Sequence, residues 1–125
     1  MRSWRSAALL AIGLAAGCGT DASSGDDDGG PTPDQCATSF LDYDNFGAPF
    51  VADWCRGCHS SALPAAMRQN APADVNFDDY AKTMEWRERI LVRATGDAPT
   101  MPPVGGPSDE ERALLAEWLG CGGKQ

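Results

Sequence analysis

Three stretches of the chain carry apolar residues at helical intervals. The first helix is predicted over Phe46 to Gly57, with Phe50 and Trp54 one turn apart and Pro49 tolerated in the first turn. A second is predicted over Asp78 to Arg93, where Asp78 and Asp79 lie at the positive end of the helix dipole. Tyr80, Met84, Arg87 and Leu91 share one of its faces, and Trp86 and Ile90 another. The third opens on a capping box, Ser108 with Glu111. Leu114, Leu115, Trp118 and Leu119 form its apolar stripe, and Gly120 is the expected stop. The Pro- and Gly-rich run from Gly96 to Pro107 cannot be helical. One Ile and four Val beyond residue 18 supply few strand formers, so the fold class is all-α with long loops.

A different pattern precedes these helices. Arg2 and Arg5 lead into an apolar run of 11 residues, Ala7 to Gly17. A bilayer-spanning helix needs about 20 residues, so this run fits the core of a secretory signal instead. It ends Leu14-Ala15-Ala16-Gly17-Cys18, which resembles a bacterial lipobox. The resemblance implies a signal peptide over 1–17 and lipidation of Cys18; an ordinary signal cut nearby is the alternative. Both readings export the chain, which permits disulfides. Residues 19–35 hold no large apolar side chain and five aspartates, so 18–35 is expected to be a disordered Asp/Gly/Ser/Pro tether. As a flexible coil it would span on the order of 20–25 Å. The domain proper is 36–125.

Charge and composition narrow the functions available. The formal net charge is −8, and 36–125 alone carries 13 acidic against eight basic residues. Clustered positive charge is missing, which argues against nucleic acid as a partner. The acidity favours docking to partners of basic or neutral surface, with faster association at low salt. A single histidine excludes any bis-histidine site, and five cysteines leave at least one thiol outside an intramolecular disulfide.

The chemistry concentrates in Cys55-Arg56-Gly57-Cys58-His59. Thiols three positions apart can each form a thioether to one haem, and the adjoining imidazole can ligate its iron. Here the chain resembles the class I c-type cytochromes. Gly47, Val51 and Cys55 follow at intervals of four, as a glycine and a bulky residue do on the family's helix leading into the motif. Met101-Pro102-Pro103, followed by a capped helix with a tryptophan, is similar to the family's sixth-ligand loop and C-terminal helix.

The resemblance covers about residues 36–121. It implies one haem c per chain, wrapped in a small helical domain, with Cys55 and Cys58 as thioethers and His59 as proximal ligand. It further implies Met101 as the sixth ligand. Met84 reads as a core residue of an amphipathic helix; Met67, a lysine or an open position are the alternatives. In the family's fold the two termini pack together, so a Cys36–Cys121 bridge is implied, against two free thiols. The implied function is one-electron transfer without catalysis, by a carrier lipid-anchored at the periplasmic face of a bacterial membrane.

Other readings compete. Trp54 before Cys55-Arg56-Gly57-Cys58 also resembles a thioredoxin active site, which would use a low-pKa Cys55 thiolate with Cys58. That fold needs strands which this composition supplies poorly. A structural zinc site would need adjacent Cys58 and His59 on one ion and a fourth ligand from Cys36 or Cys121. Phe50, Trp54, Phe77, Tyr80, Trp86 and Trp118 either wall the cofactor or fill the core, and the sequence does not sort them.

Overall fold

The structure is a computed structural model that describes residues 29–125. The signal segment, Cys18 and the tether up to residue 28 lie outside the described residues. Among the described residues there are five α-helices and no strand: α1 (Pro33–Thr38), α2 (Ala48–Trp54), α3 (Tyr80–Glu85), α4 (Arg87–Ala94) and α5 (Asp109–Gly120). The all-α expectation is met. None of these helices is long and apolar enough to cross a membrane.

Helix α1 begins inside the segment whose composition reads as tether and runs past Cys36. Thr32 accepts from the Gln35 backbone N–H while the Gln35 side chain accepts from that of Thr32, and Pro33 opens the helix. A capping box with proline at the first position starts a helix even in polar chain. Two ties then hold the segment to the domain. Cys36 is joined to Cys121 by a disulfide with Cα atoms 5.1 Å apart. Pro31 lies so close to Gly120 that a Cβ there would sit 2.5 Å from the proline Cδ.

The first expected helix starts earlier and ends sooner than its pattern suggests. Asp42 and Asn45 cap a single π turn (Tyr43–Gly47) that feeds directly into α2, with Pro49 in the first turn of α2. The helix stops at Trp54, and the two-thiol segment continues as turns, with the Cys58 and His59 amides donating to the Cys55 carbonyl at 3.1 and 2.9 Å.

The second expected helix is two. Asp79 caps α3, and Trp86, at φ −105° and ψ 10°, breaks the chain direction before α4. The third is as expected at its start, where Ser108 and Glu111 form the capping box. Its end differs. Gly120 is the last helical residue and is small because Pro31 crosses it, whereas Gly122 and Gly123, both at positive φ, turn the chain back.

The core lies between α2, α4 and α5 and is built from Phe50, Val51, Ile90, Leu115, Trp118 and Leu119, with Leu119 fully buried. Trp118 is at its centre. Its ring packs 6.2 Å from those of Tyr43 and Phe46, and its indole N–H donates to the Lys124 carbonyl at 3.0 Å. The Lys124 ammonium in turn donates to the Ser39 and Cys36 carbonyls, so the C-terminal strap closes over the end of α1.

Candidate cofactor site

Cys55, Cys58, His59 and Met101 line one largely apolar cleft of about 310 Å³. That is within the range of about 300–1,000 Å³ typical of small-molecule sites. The end of α2 and its following turns supply the thiols and imidazole, and the 96–107 loop brings Met101 and its two prolines. Helix α4 closes the cleft with Ile90 and Ala94.

His59 is oriented from behind. Its Nδ1 lies 3.2 Å from the Val75 carbonyl oxygen, and the tautomer protonated at Nδ1 donates there. That tautomer keeps the Nε2 lone pair free for a metal. The Phe77 ring packs 4.9 Å from the imidazole, and the Phe77 amide donates to the His59 carbonyl at 2.9 Å. Burial pulls the imidazole below its ordinary pKa and the Arg68 charge adds to this, while the Val75 carbonyl opposes both. The net effect favours the neutral ring that ligation requires.

Met101 is held by its backbone. The Thr100 and Met101 amides both donate to the Arg93 carbonyl, at 2.8 and 2.9 Å. The Arg112 guanidinium donates to the Met101 carbonyl at 2.8 Å and to that of Ala94 at 2.7 Å. The loop is therefore tied to the end of α4 and to α5 at once, while Met101, 37% exposed, lines the cleft. Met67 is 59% exposed in a short 3₁₀ turn and does not line the cleft. Met84 packs against the core at Gly123.

Cys36 and Cys121 do not line the cleft and are bonded to each other. The aromatic set divides. Phe50, Trp54, Phe77 and Trp86 line the cleft, whereas Tyr80 packs on Tyr43 and Trp118 fills the core. Among the described residues no three His, Cys, Asp or Glu side chains form a group that could hold a metal ion.

Two features were not legible in advance. Trp86 has a buried indole N–H without a partner. Arg68 is 5% exposed, and its guanidinium donates only to uncharged oxygens around the 60–76 loop. Proline and asparagine density in that loop was the one available signal of a tightly folded segment.

No protein-family model, curated protein or solved structure matches the chain.

Proposed function

We propose that the protein is an exported one-electron carrier with a single haem c, held by thioethers at Cys55 and Cys58 and ligated by His59 and Met101. The observation that carries this reading is the convergence of two thiols, a pre-oriented imidazole and a thioether on one apolar cleft. The residues fit the group. Thiols and imidazole come from one continuous turn, and the walls, with the Trp86 ring among them, are apolar and aromatic. Arg89 and Arg93 line its edge and suit the carboxylates such a macrocycle carries.

When bound, the group supplies a reversible ferric–ferrous couple. The chain's part is to hold and shield it. Val75 fixes the tautomer of His59, the Arg93 and Arg112 contacts hold Met101, and Phe50, Phe77 and Ile90 exclude water. Thioether rather than second imidazole ligation raises the reduction potential. The excess of 13 acidic over eight basic residues in 36–125 suits a docking partner with a basic or neutral surface. The lipobox-like Cys18 fits lipid anchoring at the periplasmic face of a bacterial membrane, as a carrier rather than an enzyme.

Burial speaks against a thiol–disulfide enzyme built on Cys55 and Cys58. It pushes the Cys55 thiol up to about 12, opposite to the low value a nucleophilic cysteine needs. The test is spectroelectrochemistry of the chain exported by a host that matures c-type cytochromes, beside an insulin-reduction assay. A reversible one-electron wave with no insulin turnover supports the carrier. Turnover that depends on Cys55, without a haem spectrum, overturns it.

A further inference from the structure

Arg68 is the most deeply buried charged side chain among the described residues, and none of their carboxylates pairs with it. Its Nη2 donates to the Val75 carbonyl at 3.0 Å and to that of Pro72 at 2.6 Å. Nη1 donates to Asn76 Oδ1 at 2.8 Å and to the Ser60 carbonyl, and Nε to the Ala71 carbonyl at 3.4 Å. A buried cation held only by dipoles is costly, and without it the five oxygens it satisfies would lose that donor, as a loop brace also would require. What sets it apart is a shared acceptor. The Val75 oxygen that takes Arg68 Nη2 is the one facing His59 Nδ1.

Resting on the haem reading above, we propose that Arg68 is a positioning residue that tunes the iron couple through Val75 and His59. Its first action is geometric: it pins the carbonyl that fixes the orientation of the imidazole. Its second is electronic. Two donors on one carbonyl each weaken the other, so Val75 withdraws less proton density from Nδ1–H and the imidazole stays a weaker donor to iron. A weaker donor and a nearby fixed positive charge both disfavour the ferric state. The step tuned is the gain of one electron by iron(III) to give iron(II), with no bond made or broken, the electron coming from a redox partner protein or electrode mediator.

The test compares midpoint potentials of exported, haem-loaded wild type, Arg68→Met and Arg68→Lys, with haem content and thermal stability measured separately. Arg68→Met should shift the ferric/ferrous ratio about tenfold toward ferric at a given applied potential, ~59 mV for one electron. Arg68→Lys keeps the charge and should shift it by less than half as much. An Arg68→Met potential equal to wild type, with stability lowered, overturns the inference and leaves Arg68 a loop brace. Should neither variant fold, the wild type decides by NMR: guanidinium and His59 Nδ1 protons protected from exchange support the shared acceptor, and exchange at the solvent rate overturns it. A wild-type chain without haem defeats the haem reading and this inference with it; a loaded wild type with an unmoved variant potential defeats this inference alone.

Discussion

Gly47 is helical, at φ −60° and ψ −51°, so its backbone gives no reason for glycine. In an open helix, Gly→Ala would stabilise the fold by roughly 0.5–1 kcal/mol. Here an added Cβ would lie 2.5 Å from both Cη2 and Cζ2 of Trp118. The ring cannot swing away: it is 1% exposed, bounded by Tyr43 and Phe46, and anchored by its bond to the Lys124 carbonyl. Overpacking of this kind costs about 1–3 kcal/mol. The two effects combine to a net loss of ~1 kcal/mol for Gly47→Ala, or about 4–8 °C in Tm for a domain of this size. Urea titration and thermal circular dichroism of the disulfide-intact protein, in one cofactor state, measure it. In a Trp118→Phe background the clashing benzo edge is gone, so the cost of the alanine should vanish, a coupling readable by a double-mutant cycle. A Gly47→Ala protein more stable than wild type would refute the reasoning.

Three further outcomes are expected. The Cys36–Cys121 bridge closes a separation of 85 residues, so the Cys36→Ser/Cys121→Ser pair should lose up to ~4.5 kcal/mol by urea titration; an unchanged midpoint would contradict the bridge. In the haem-loaded ferric protein, Met101→Ala should abolish the methionine-to-iron charge-transfer band and Met67→Ala should leave it, and the reverse would reassign the ligand. The Ser60 hydroxyl, with the Ser61 hydroxyl and amide, holds the Asp78 carboxyl down at about 2. The folded value lies below the unfolded one, near 4, so this contribution is complete above pH ~4 and is lost as pH falls toward 2. Melting curves from pH 6 to 2 should fall more steeply for wild type than for Asp78→Asn; parallel curves would show that Asp78 does not brace the turn after His59.

What could be read from the chain was what is local. Helix α5 announces itself because Ser108 and Glu111 satisfy each other three residues apart and the apolar stripe follows without interruption. The two-thiol turn and His59 are contiguous, and Met101 stands out once Met67 and Met84 are compared with it. The division of α3 from α4 was hidden because the apolar spacing runs on through Trp86, while the break comes from its amide turning back to the Thr83 carbonyl and its ring entering the cleft. Val75 leaves no trace in the sequence, since it acts through a backbone oxygen that any residue possesses. Arg68 reads as an ordinary surface arginine in polar chain, and only the folding of 60–76 gathers the carbonyls that bury it. The Thr32–Gln35 capping signal that starts α1 stands in a segment without apolar residues, and Cys36 lends that helix a tie it could not have alone.

The central claim is that Cys55 and Cys58 hold one haem beside His59 while Cys36 and Cys121 pair. Intact mass of the exported chain, denatured without reductant and treated with a thiol-alkylating reagent, addresses all four cysteines at once. Expected are one haem per chain that survives acid–acetone extraction, no alkylated thiol, and two sites of alkylation only after reduction. A bare polypeptide mass with Cys55 and Cys58 alkylated, or oxidised to each other, would contradict it.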